Sequence, residues 1–233
     1  MDAAPRRADV LREVNILETD GSATWQVEHT LIVDLVPPED DVLMGLSQST
    51  RRQVRKAQSK DGIVCMFDDR PSTGLIERFA DRYDAFAVSR GLRATFRPRL
   101  EQLSAADMLT FSVATDPAQE VEVQHMHLRN ADRAMLLHSV SNLDDAEGEV
   151  RNMIGRANRL LHWEGMVHFR NLGCSAYDMG GLDIEEKSPE TSAIAKFKRG
   201  FGGEVMATHS RVVPVSLKGR IALAALKVAG KSL

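Results

Sequence analysis

Three strand-like segments in direct succession, followed by one long helical segment, narrow the folds open to this chain more than any other feature. MLTFSVAT (108–115), EVEVQHMHLRN (120–130) and RAMLLHSVSN (133–142) are rich in apolar and β-branched residues, and Asn130 to Asp132 makes a tight turn between the last two. EVRNMIGRANRLLHWEGMVHFRNLG (149–173) then reads as one helix that Gly173 stops. Ahead of this centre, EHTLIVDLV (28–36) reads as a strand ended by Pro37 and Pro38. Glu39, Asp40 and Asp41 suit a helix N-terminus, and that helix is predicted to run to about Lys60. GIVCMFDD (62–69) is a second strand, and Pro71-Ser72-Thr73 opens a helix that buries Leu75, Ile76, Phe79, Tyr83 and Phe86. A shorter helix follows Pro98. After the long helix come a short strand, CSAYDMGG (174–181), a helix around 189–200, a strand over 204–215 and a basic C-terminal helix over 216–233. Residues 1–27 read as a leader, loose or partly helical, or as the vestige of a first domain. This order predicts an α/β (α+β) domain over 28–215, with a mixed, mostly antiparallel sheet and helices on both faces.

The chain has 233 residues, of which 43% are hydrophobic, enough for one sizeable core. A net charge of -3 makes no global demand for nucleic acid. Cys65 and Cys174 lie far apart in an ordinary composition and read as reduced structural thiols. No apolar run approaches the roughly 18 residues of a spanning helix. The charged start MDAAPRRADVLREVN lacks the apolar core of a signal peptide, which points to a cytoplasmic protein.

The element order, together with four motifs, resembles the GNAT acyltransferase superfamily in its FemAB-like (peptidoglycan bridge-forming, BioF2-like) branch. YDMGG followed by FKRGFGGEV resembles that branch's C-terminal signature. SQSTRRQVRKAQSKDGI (47–63) resembles its basic helix before a strand, and RAMLLHSVSN with IGRANRLLHWEGM its central strand and helix. The resemblance covers roughly residues 28–215. Many members carry two related domains, whereas little precedes residue 28 here. The resemblance therefore implies a single-domain version, with a homo-oligomer or partner subunit in place of the second domain. It also implies an N-acyltransferase whose donor is acetyl-CoA or another acyl-CoA and whose acceptor is an amine on a cell-envelope or polysaccharide precursor. Aminoacyl-tRNA is the alternative donor, and a non-catalytic protein that docks on a membrane or partner is a third reading.

The residues give these expectations a chemistry. Superfamily members that use acyl-CoA place a Gln/Arg-x-x-Gly-x-Gly/Ala turn at a helix start, where free N–H groups and the helix dipole meet phosphate. Here the matching stretch is Arg151, Asn152, Met153, Ile154, Gly155, Arg156, Ala157 and Asn158, with Asn152 where Gln or Arg is expected. Gly180 and Gly181 end a strand where neighbouring strands of the fold splay apart, and they let a substrate approach the backbone. Lys198, between Phe197 and Phe201, is placed to face a developing oxyanion or a phosphate. The competing reading is a solvated lysine beside two core rings. Tyr177 and Asp178 end the same strand; Asp178 either handles the amine proton or caps the following turn. His125 and His127 share one strand face and read as substrate contacts, as does Ser139 on the next strand. With no carboxylate or cysteine at ligand spacing beside them, no metal is expected. Arg51 and Arg55 belong to a broad basic helix face suited to an anionic substrate, or simply to solvent. From Val205 onward there is no Asp or Glu, and Arg211, Lys218, Arg220, Lys227 and Lys231 suit either a peripheral contact with anionic lipid or a helix packed on the domain.

Overall fold

The computed structural model describes residues 9–17, 19, 25–143, 146–186 and 188–228. The chain divides into two compact units, one formed by Leu31–Glu204 and the other by Met1–Thr30 with Val205–Leu233.

In the larger unit the predicted elements are present. They are β2 (Gln26–Asp34, from Leu31 on), α1 (Glu39–Gly45), α2 (Gln48–Ser59), β3 (Val64–Asp68), α3 (Thr73–Ser89), α4 (Arg97–Ala105), β4 (Leu109–Thr115), β5 (Glu122–Arg129), β6 (Arg133–Ser141), α5 (Gly148–Asn171), β7 (Ala176–Gly181) and α6 (Pro189–Arg199). Their strands lie in the order β2-β7-β6-β5-β4-β3. The β3–β4, β4–β5 and β5–β6 pairs are antiparallel, and β6–β7 is parallel. The predicted turn closes the β5–β6 hairpin, with Asn130 Oδ1 accepting from the N–H groups of Asp132 and Arg133.

Alternation along β4–β6 sends side chains to two cores, one on each face. On one face α5 buries Ile154, Leu161, Trp163 and Phe169 in a cluster that also takes Leu35 and Val54. On the other, Ile76, Phe79 and Leu100 of α3 and α4 cover Phe111, Met126 and Val140. Each large apolar side chain so buried stabilises by about 1.5–3 kcal/mol relative to exposure.

The single helix predicted from Glu39 to Lys60 is in fact two. Leu46, 1% exposed, takes an extended conformation to reach the core, and Ser47 restarts the helix by accepting from the Thr50 N–H at 3.2 Å. In the smaller unit, β1 (Val10–Ile16) pairs antiparallel with β8 (Glu204–Pro214), and α7 (Leu217–Val228) follows. A strand thus stands where a loose or partly helical leader was expected. The leader's first eight residues and Lys231 of the basic tail lie outside the described residues.

Candidate active site

The parallel pairing of β6 and β7 covers Arg133↔Ala176, Ala134↔Tyr177 and Met135↔Asp178, although β6 continues to Ser141 and β7 to Gly181. Beyond it, β6 carries a bulge. Leu136 faces His127 and His138 faces Met126, so Leu137 has no opposite number on β5. Gly180 adopts a φ of +75° and backs onto the Leu136 carbonyl so closely that a Cβ would lie 2.9 Å from that oxygen. Gly181 has open space around it.

Lys198 on α6 reaches this strand end. Its Nζ donates to the carbonyls of Gly180 at 3.1 Å and Gly181 at 2.6 Å. Burial lowers its pKa to about 8, opposed by the nearby Asp178 carboxylate. An ammonium has three donors, so one N–H remains for a further acceptor. Phe197 and Phe201 stand edge to face at 5.3 Å beside it, and the Arg159 guanidinium lies over the Phe197 ring at 4.8 Å. α6 is held at its start by a capping box between Ser188 and Thr191. At its far end the Gly200 carbonyl accepts from the Ser47 N–H at 2.9 Å.

The other expected catalytic and contact residues are placed differently. Asp178 is fully buried; its Oδ1 accepts from the Gly180 N–H at 2.8 Å, and its Oδ2 lies 3.7 Å from Arg133 Nη1. It therefore caps the turn and lies out of reach of solvent. Tyr177 is equally buried. Its hydroxyl lies 3.0 Å from His127 Nε2 and 2.9 Å from His162 Nδ1, so it donates to one imidazole and accepts from the other. His125, also fully buried, bonds Asn158 through Nε2 at 2.9 Å. Burial lowers the pKa of His125 to about 4 and those of His127 and His162 well below the usual value, with neighbouring imidazoles adding to the effect on the last two. These histidines form a neutral polar interior rather than the substrate contacts expected of His125 and His127. Ser139 lies opposite His125 on β6, partly buried. Among the described residues, no group of three or more His, Cys, Asp or Glu is placed to hold a metal ion.

The expected phosphate turn is corrected as well. α5 starts at Gly148, so Asn152, Gly155 and Ala157 lie inside the helix, where backbone N–H groups are taken by preceding carbonyls. Arg156 is 6% exposed and its guanidinium grips Asp61 at 2.5 and 3.1 Å and Glu149 at 2.6 Å. Arg151 donates to the Leu143 carbonyl at 3.2 Å, and Asn158 is committed to His125. Arg51 donates to the carbonyls of Met44 and Leu46 and so ties α1 to α2, whereas Arg55 is exposed.

Three functional-region residues escaped the sequence reading. Arg159 follows Arg156 by three positions, a spacing that puts them on adjoining helix surface. His162 stands between Leu161 and Trp163 on a buried face, and a polar residue there signals a buried partner. Arg133 meets Asp178 across two strands, and no local pattern announces that pair.

No protein-family model matches the chain, and no curated protein matches it in sequence. The likeness to known proteins is one of structure. The chain has a mixed α/β fold of the kind seen in FemX. The crystal structure of FemX matches with a TM-score of 0.61 at 12% identity, over 85% of this chain and 65% of that one. A conserved protein of unknown function from Bacteroides thetaiotaomicron matches at 0.52, with 9% identity over 82% of this chain and 63% of its own. The C-terminal domain of a putative lysylphosphatidylglycerol synthetase from Agrobacterium fabrum matches at 0.51, with 12% identity over 88% and 66%. The chain spans less than two thirds of the length of each. Among the described residues no helix is long and apolar enough to cross a membrane.

Proposed function

We propose that the chain is an N-acyltransferase whose transfer site is the strand end at Gly180, Gly181 and Lys198. The carrying observation is the Lys198 ammonium, anchored on the Gly180 and Gly181 carbonyls with one N–H to spare. The acceptor amine attacks the carbonyl carbon of an acyl thioester. The C–N bond forms, the C–S bond breaks, and the proton lost by the amine ends on the departing thiol of coenzyme A. Negative charge grows on the carbonyl oxygen during attack, and a cation already fixed in place stabilises it without reorganising. With a pKa of about 8, Lys198 is mostly charged at neutral pH, and its contribution fades as pH rises through that value.

The donor in this reading is acetyl-CoA or a longer acyl-CoA, and the acceptor an amine of a cell-envelope or polysaccharide precursor. Exposed Leu217 and Ile221 beside Lys218 and Arg220 on α7 suit peripheral contact with anionic lipid. The exposed basic face of α2 supports a second reading of the donor, aminoacyl-tRNA; the C–O ester bond to the tRNA ribose then breaks in place of the C–S bond, and the proton lost by the amine ends on the freed ribose hydroxyl.

The deciding experiment incubates the protein with radiolabelled acyl-CoA or aminoacyl-tRNA and a panel of amine acceptors, and compares it with Lys198→Met. The variant keeps the volume of the stem and loses the charge. Turnover is expected to fall by about 10²–10³, with the protein still folded by thermal denaturation. Unchanged turnover in the variant removes Lys198 from the chemistry and the proposal with it.

A further inference from the structure

The outer surface of α2 meets α5 in an open depression of about 690 Å³, lined by Arg52, Arg55 and Lys56 from α2, by Lys60 just past its end, and by Asn152 and Arg156 from α5. Gln53 and Ser59 complete the lining, which holds no acidic, apolar or aromatic side chain. The nearest carboxylates are already committed. Asp61 is held by Arg156, and Glu149 by Arg156, Asn152 and Lys56, which together pull its pKa down to about 2. Arg52, Arg55 and Lys60 have no ion-pair partner among the described residues. Cations therefore outnumber carboxylates around one hollow in a chain whose net charge is -3. Crowded like charges repel, and an anion entering the hollow relieves that repulsion.

The lining also selects among anions. Without an aromatic face it offers nothing for a nucleobase to stack on, which disfavours single-stranded RNA. Without apolar side chains it offers nothing to an acyl chain, which disfavours a lipid surface. Guanidinium and ammonium groups around a concave, wholly polar site match phosphate oxygens. α5 connects the depression to the candidate transfer site. Arg156 precedes Arg159 by three residues, roughly 5 Å of helical rise, and Arg159 covers the Phe197 ring beside Lys198.

We propose that this depression binds the phosphate groups of a soluble small molecule of nucleoside-diphosphate size, and that it holds the diphosphate of the acyl donor during transfer. The second half rests on the acyl-CoA reading above. The site lies along the side of α5 and uses side chains, whereas the turn expected from the sequence would have used backbone N–H groups at a helix start.

The test titrates the full chain with inorganic pyrophosphate, ADP and coenzyme A by calorimetry at low ionic strength. The same titrations are run on an Arg55→Ala/Lys60→Ala double variant and on Lys198→Met. Arg55 and Lys60 are both exposed, so the double variant keeps its fold. Pyrophosphate is expected to bind the native chain with one site, to bind the double variant about tenfold more weakly, and to bind Lys198→Met unchanged. Coenzyme A is expected to compete for the site. Absence of pyrophosphate and ADP binding overturns the proposal, as does binding indifferent to the double substitution. Binding of duplex RNA or of phosphatidylglycerol vesicles, with none of the soluble probes, also overturns it. Pyrophosphate binding that coenzyme A fails to displace removes the donor assignment alone, and leaves both the anion site and the role of Lys198 to their own tests.

Discussion

Two Gly-Gly pairs flank α6, and they do different work. Gly202 and Gly203 both take positive φ, at 73° and 80°, and both are pressed against neighbouring backbone. A Cβ on Gly203 would fall 2.3 Å from the Ile32 carbonyl oxygen, and one on Gly202 2.6 Å from that of Gly45. This pair is a joint that lets α6 stop and the chain pass between α1 and β2. Gly180 is also constrained, but Gly181 is exposed with open space around it, and the carbonyls of both hold Lys198. One pair is closed on protein and the other is open at a strand end. The same dipeptide therefore marks a structural joint in one place and an accessible backbone in the other, and the difference lies in what packs around it.

The pairs share a support, and acid attacks it. His162 bonds Tyr177, three residues before Gly180, and its ring lies 5.1 Å from that of Phe201, which precedes Gly202. His125, His127 and His162 are held neutral in the fold, with pKa values below those of the unfolded chain. Below about pH 6.5 the unfolded state binds protons that the native state refuses. Their contribution is therefore complete above that pH and is lost as pH falls toward the folded values. Each such histidine removes about 1.4 kcal/mol per pH unit across that window, so urea denaturation at pH 7, 6 and 5 should show stability dropping by several kcal/mol. A flat profile from pH 6.5 to 5 would contradict the neutral interior.

The closed pair should give the next largest effect. In Gly203→Ala the methyl group meets the Ile32 carbonyl and the residue is forced to a φ that costs an L-amino acid about 1–2 kcal/mol by itself. The expected loss is about 4 kcal/mol, read from the denaturation midpoint. Gly180→Ala faces a milder contact, 2.9 Å from the Leu136 oxygen, at a similar φ. It should cost about 2 kcal/mol. A reversed order would mean that the strand end is the more rigid of the two joints.

The sequence carried much of this arrangement, and where it failed the reason is physical. The β4–β6 meander and α5 were legible because each side chain's periodicity reports the face it buries. The break at Leu46 was not, because the apolar spacing runs on through it and the Ser47 cap competes with an otherwise continuous helical pattern. The aromatic-flanked lysine was legible as a motif, while its partners are backbone carbonyls, which every residue possesses and no residue type signals. Arg156 was visible as a charge but not as an ion pair, since Asp61 lies 95 positions earlier. His125 and His127 were correctly placed on one strand face, but spacing cannot say whether that face looks onto a cleft or, as here, onto α5.

The smallest predicted effect on stability is the one that most sharpens the contrast. Gly181 has no positive φ, and a Cβ there meets nothing within 4 Å. Gly181→Ala should therefore stay within about 0.5 kcal/mol of the native protein, with slight stabilisation from the stiffer unfolded chain. The carbonyl that accepts from Lys198 is retained, so the ammonium keeps its position. The added methyl group projects into the open space at the strand end, where the acceptor amine is proposed to approach. KM for the acceptor should rise while kcat holds, since the oxyanion contact is untouched. A variant equal to the native protein in both stability and KM would show that the acceptor enters elsewhere. A loss of stability matching that of Gly180→Ala would show that Gly181 is as constrained as Gly180, and that both residues of this pair are closed on protein.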